Sequence, residues 1–157
     1  NRDDEHTEAS DGPRRLRGYY AALDAGNIEA ALAVFALEAV YVRAEKVGVV
    51  VADQATARQL VVSRGRDEIR DFMQRQDDAA RARGAAIRHE ILAITYIGRR
   101  CFVDGVVPSP DGALDVVFFA HAVFDTVGLV RYYAAVANES PPNLLAKLLA
   151  ADIDHDH

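Results

Sequence analysis

The sequence predicts an α+β domain in which helices come first and a run of antiparallel strands follows. Three observations predict it. Leu16, Tyr19, Tyr20 and Leu23 recur at helical spacing near the start of the chain, and Ile69, Phe72 and Met73 do so again further on. From residue 87 the chain is rich in β-formers and broken by turn signals at Gly98, Pro110-Asp111-Gly112 and Asp125 to Gly128. Helices and strands segregated in this way bury their apolar sides together when a curved antiparallel sheet wraps over the helices.

Each element has its own signal. The first helix is expected to begin near Pro13, a residue suited to the first helical turn, and to end at Gly26. Asn27 can cap a second helix running through Phe35, with Ile28, Ala31, Leu32 and Phe35 turned inward. Ala39 to Arg43 reads as a strand. Residues 46–52 and 60–63 are also β-rich and predict a hairpin or an extended flap. Gly65 breaks the chain before a third helix over 66–83. Its charges, from Arg66 to Asp71, read as a solvated face. Strands are expected at 87–97, 100–107, 113–125 and 129–137, and a short helix over 142–151 after Pro141-Pro142. The domain is thus expected to span 13–138, between a disordered tail at 1–12 and a short helix and tail at 139–157.

Val116 to Phe124 is apolar at almost every position, whereas a strand with one wet face alternates. One side should cover the helices and a pocket. The other is expected to meet a second subunit in a homodimer, or to lie under the segment 44–64.

The bulk numbers exclude some functions. The 157 residues fit one domain that can bury a core without disulfides. A net charge of −6 argues against nucleic acid or an anionic membrane as the main partner. Cys101, the one cysteine, lies in an apolar run and reads as a buried thiol in a reduced, cytoplasmic setting. No stretch reaches the ~20 apolar residues of a membrane helix, and no zinc or nucleotide signature occurs, so no cofactor is expected.

The segment from Tyr19 through Ala31 resembles the opening of SnoaL-like and nuclear transport factor 2-like proteins, the group that includes ketosteroid isomerase. Val34-Phe35, Ala39 to Val42, Gly65 to Phe72, and Phe124-Asp125 with Gly128 to Arg131 are similar to later landmarks of that group, in the same order. The resemblance covers about residues 14–138. It implies a cone-shaped α+β barrel with a pocket for a small apolar molecule. It implies no single activity, because the fold hosts isomerases, polyketide cyclases, epoxide hydrolases and binding proteins. Ketosteroid isomerase uses a carboxylate base with a phenol and a protonated acid. By the landmarks, Tyr19 stands at the phenol, Arg43 at the base and Ala120 at the protonated acid. An arginine has no acceptor and cannot replace that base. Limonene-type epoxide hydrolases carry Tyr-x-Asn where this chain has Tyr41-Val42-Arg43, and their last-strand aspartate falls at Ala135.

Strand alternation then groups the candidates. Tyr41 and Arg43 should share a face, as should Arg131, Tyr133 and Ala135, and Phe118 goes with Ala120. Tyr19, Arg43 and Asp104 are the candidate catalytic residues: a phenol donor, an anion holder, and an acid or base set in the apolar run from Cys101 to Val107. Tyr41, Phe118, Ala120, Arg131 and Tyr133 are the candidate ligand-binding residues. Asp104 can face either way. His121 should face away from the pocket, and His89 is expected at the surface. The function expected is a cofactor-free cyclase or isomerase acting on an apolar oxygenated molecule of polyketide or terpenoid type. A non-catalytic binder, an epoxide hydrolase and an assembly domain remain as alternatives.

Overall fold

A computed structural model of the protein describes residues 3–46, 58–84, 86–109, 114–140 and 150. In chain order the elements are α1 (Asp3–Asp24), α2 (Ile28–Leu32), β1 (Phe35–Lys46), β2 (Arg58–Arg64), α3 (Gly65–Ala82), β3 (Glu90–Ile97), β4 (Arg100–Val107), β5 (Asp115–Phe124) and β6 (Val130–Ser140). The six strands form one curved, open sheet in the order β2-β1-β6-β5-β4-β3, with the helices against its inner face.

The sheet is mixed, which corrects the all-antiparallel expectation. β1 lies parallel to β6, with Tyr41 opposite Tyr133 and Arg43 opposite Ala135. The other neighbours are antiparallel. A first strand followed by β2 and α3 has enough intervening chain for a parallel partner.

The helical stripe packs as its spacing requires. Leu16, Tyr19 and Tyr20 of α1 are buried against Phe35, Tyr133 and Phe124 in one core cluster. Each such side chain withdrawn from water stabilises the fold by roughly 1.5–3 kcal/mol. α1 begins at Asp3 rather than at Pro13, so the proline lies inside the helix. α2 ends at Leu32, and Phe35 already belongs to β1. The Asn27 carboxamide accepts from the Ala30 N–H at 3.1 Å, the cap its position calls for.

The acidic charges of α3 are solvated as expected, with Asp67, Glu68 and Asp71 exposed, while its arginines also tie it to its neighbours. Arg66 donates to the Phe35 carbonyl, and Arg70 pairs with Glu29 at 2.8 Å, joining α3 to β1 and α2. Gly105 is needed where it stands. A Cβ there would lie 2.2 Å from Cζ of Phe118, whose ring crosses β4 at this point. Part of the expected flap (47–57) and nearly all of the expected 142–151 helix lie outside the described residues. No described helix is long and apolar enough to cross a membrane.

Candidate active site

A cavity of about 300 Å³ opens between α1, α2, α3 and the ends of β1, β4 and β5. Leu23, Ile28, Phe72 and Met73 give it an apolar wall, and Tyr41, Arg43 and His89 bring polar groups to it. An inner recess of about 50 Å³ continues past Arg43 and His89 to Tyr19, Tyr20, Phe118 and Tyr133. An apolar vessel with a few convergent polar groups is the usual form of a small-molecule site.

Four phenols form the floor. Tyr19 and Tyr41 share a hydroxyl hydrogen bond of 2.9 Å, and Tyr20 and Tyr133 share one of 2.8 Å. The Tyr41 and Tyr133 rings stack at 4.9 Å with only 12° between their planes, which follows from their direct pairing across β1 and β6. Burial pushes the hydroxyls of Tyr19, Tyr20 and Tyr133 above the ordinary phenol value, so they stay protonated and serve as donors or relays rather than as bases.

Arg43 stands beside this floor. Burial works against its charge, but the oxygens of Tyr41, Tyr133 and Tyr19 outweigh it and hold the guanidinium above its ordinary value. Among the described residues no carboxylate forms an ion pair with it. Asp77 also lines the cavity but pairs with Arg81 at 3.0 Å, so the desolvated guanidinium of Arg43 is ready for an anionic or electron-rich oxygen.

Asp24 and His89 complete the site. Asp24 is the last residue of α1, and His89 directly precedes β3. One carboxylate oxygen of Asp24 accepts from the His89 backbone N–H at 2.9 Å, and the other meets Nδ1 of the ring at 2.5 Å. The carboxylate accepts, so Nδ1 carries the hydrogen of this bond, and in the neutral ring Nε2 is the acceptor. The imidazole lies between Tyr20 at 5.3 Å and the edge of Phe118 at 5.6 Å, and it lines both cavity and recess. Its backbone and ring are both fixed by the same carboxylate, as a positioned general base requires.

Of the residues singled out in the sequence, Tyr19, Tyr41, Arg43, Phe118 and Tyr133 come together around this cavity and recess. Ala120 is buried on the same face, within the core. Asp104 is not in the site. β4 points Cys101 and Val103 inward, so Phe102 and Asp104 face out, and Asp104 pairs with Phe119, which is 44% exposed. Arg131 is not in the site either. Val123 pairs with Tyr132 and Phe124 with Val130, so Arg131 is the extra residue of a β-bulge. The bulge leaves both Val130 and Tyr133 buried and turns Arg131 to solvent. His121 faces outward as expected, stacked on Phe102 at 4.7 Å. His89 was expected at the surface and is instead half-buried in the site. Its link to Asp24 spans 65 residues, and no local pattern joins the two.

Among the described residues no cluster of three or more histidine, cysteine or acidic side chains could hold a metal ion. No family model and no curated protein sequence matches the chain. Solved structures do match its fold. A candidate ketosteroid isomerase of Kribbella flavida aligns with a TM-score of 0.58 at 15% identity, covering 88% of each chain. A candidate polyketide cyclase of Sinorhizobium meliloti aligns at 0.55 and 19% identity, over 78% of this chain and 94% of that one. The epoxide hydrolase/cyclase-like enzyme SalBIII, of pyran ring formation in the polyether salinomycin, aligns at 0.57 and 13% identity, over 86% and 93%. At such identities the likeness is one of fold. The chain has the cone-shaped α+β fold of nuclear transport factor 2-like and ketosteroid isomerase-like proteins.

Proposed function

We propose that the protein is a cofactor-free proton-transfer enzyme, a cyclase or isomerase acting on a carbonyl-bearing apolar molecule of polyketide or terpenoid type. The observation that carries this reading is that His89, held by Asp24, lines the same cavity as Arg43 and the phenol floor. It supplies the base that Arg43 cannot be, from a different element. The solved relatives of candidate isomerase, candidate cyclase and epoxide hydrolase/cyclase-like type support the class.

The chemistry follows from the placement. His89 Nε2 takes a proton from the carbon beside a substrate carbonyl. The C–H electron pair forms the new C=C bond, and the carbonyl π pair moves onto oxygen. Arg43, with a phenol hydroxyl, holds that enolate oxygen, and donors so placed contribute about 10²–10³ in rate. The imidazolium formed is stabilised by the Asp24 carboxylate. It then returns its proton either to another carbon of the enolate, which completes an isomerisation, or to the alkoxide formed when the enolate carbon attacks a second carbonyl, which closes a ring. The epoxide hydrolase alternative loses ground, since Asp104 faces outward and the last-strand position is Ala135.

The test is solvent deuterium exchange into the central carbon of a small aryl 1,3-diketone, followed by proton NMR. Wild type should accelerate exchange, and His89→Gln should remove about 10²–10⁴ of the acceleration. A wild type that binds the diketone and exchanges nothing is a binding protein, and the catalytic reading is then wrong. We also propose that two copies pair through the outer sheet face, where Phe102, Phe119 and Val136 are 41%, 44% and 48% exposed.

A further inference from the structure

A second concavity lies at the other end of the strands. Arg15 and Leu23 lie on α1, Arg100 and Val107 on β4, and Phe124 and Val116 on β5; the second-named residue of each pair is near or in the His89 cavity, and the first belongs to this other end. Along β4 that separation is about 20 Å. The second cleft holds about 250 Å³ between α1, the β3–β4 turn and the β5–β6 turn. Arg15 and Arg99 reach it, over Tyr96 and Phe124. It opens into a shallower groove that carries Arg100 and Arg131.

Four guanidinium groups therefore gather at one end of a chain whose net charge is −6. Among the described residues none of the four forms an ion pair. Two carboxylates, Asp11 and Asp125, line the same cleft, so four guanidinium groups stand against two carboxylates. Asp11 lies 3.9 Å from Arg14, and one oxygen of Asp125 accepts from the backbone N–H groups of Val127 at 3.0 Å and Leu129 at 2.9 Å. Four guanidinium groups against two carboxylates leave this end net positive, and an anion bound between the arginines offsets the excess. Two local features build the place. The bulge at Arg131 turns that side chain away from the Tyr133 face. Gly12 lets α1 sit directly on Tyr96, since a Cβ there would come within 2.7 Å of Cε2 of that ring. A glycine inside a helix costs about 1 kcal/mol against alanine, and this contact accounts for it.

We propose that this cleft is a second binding site, separate from the His89 cavity, for a small molecule bearing an oxyanion of phosphate or carboxylate type on an apolar body. The guanidinium forks of Arg15 and Arg99 grip the oxyanion, and Tyr96 and Phe124 receive the body. The proposal does not depend on the activity assigned to the other cavity.

The experiment is thermal unfolding of the full chain with inorganic phosphate, then phenyl phosphate, at ionic strength held constant with sodium chloride. A ligand of the native state raises Tm in a saturable way. Wild type should show saturation with both anions, and phenyl phosphate should saturate at the lower concentration. Arg15→Gln and Arg99→Gln should each raise the saturating concentration about tenfold or more. Arg17→Gln removes the same charge from an exposed position of the same helix and should leave the response unchanged. Arg99 is exposed on a turn, so its variant keeps the test open should Arg15→Gln fail to fold. No saturation in wild type, or equal loss in Arg17→Gln, overturns the site. Phenyl phosphate that saturates no sooner than phosphate overturns the assignment of Tyr96 and Phe124.

Discussion

Two histidines on opposite sides of the sheet show what environment does to one side chain. His89 is held by a carboxylate at 2.5 Å, with its ring between two aromatics at the mouth of a cavity. His121 is stacked on Phe102 on the outer face, and its Nε2 is buried without a hydrogen-bond partner among the described residues. Burial, and then the Arg100 charge, lowers the His121 pKa. The first imidazole is oriented and its charged form has a counter-ion. The second is disfavoured as a cation. The same residue type is thus equipped for proton transfer on one face and for apolar packing on the other.

The sharpest way to break this contrast is Asp24→Asn. The amide keeps the size of the carboxylate but can donate to Nδ1, so the proton moves to Nε2 and the base is lost. Diketone exchange should fall by about 10²–10⁴ while the fold is retained, because the amide matches the carboxylate in size and Asp24 is the last residue of α1. Circular dichroism alongside the exchange assay checks both halves. Unchanged exchange would mean that His89 does not act through Nε2.

A smaller effect separates the two faces of β4. Gly105→Ala drives a methyl into the Phe118 ring, which is hemmed in by Tyr20 at 5.5 Å and His89 at 5.6 Å. Overpacking of this kind costs about 1–3 kcal/mol, and the displaced ring should also close the inner recess. Asp104→Asn, one residue away and facing outward, should stay within about 0.5 kcal/mol. Urea denaturation of the two variants side by side measures the difference.

The fold was legible because its signals are periodic and local. The stripe Leu16, Tyr19, Tyr20 and the turn at Gly98 each specify one element with no need of the others. Half the site was legible for the same reason: Tyr41 and Arg43 share a face by simple alternation, and Tyr19 follows its helix. Asp104 was undecided because parity within one strand depends on the register with its neighbours. Arg131 was misplaced because a bulge breaks alternation without leaving a glycine or proline to mark it. The Asp24–His89 pair was out of reach, since it joins a helix end to a strand start through the tertiary fold alone. The parallel pairing of β1 and β6 escaped for a like reason.

The smallest predicted effect concerns the outer histidine and the proposed pairing of two copies. His121 has a lowered pKa in the folded chain, against about 6.5 unfolded. Its contribution to stability is therefore complete above about pH 6.5 and is lost as pH falls through the lower folded value. A second copy laid on Phe102, Phe119 and Val136 would desolvate the ring further, so protonation opposes association in the same direction. Arg100 adds to that opposition. Asp104, also on the outward side of β4, partly offsets it. Sedimentation velocity at pH 8 and pH 5 should show a dimer that weakens with acid, and His121→Gln should flatten the difference. A single-chain mass at both values would remove the dimer. A dimer of unchanged strength would leave the pairing in place and take His121 out of its interface.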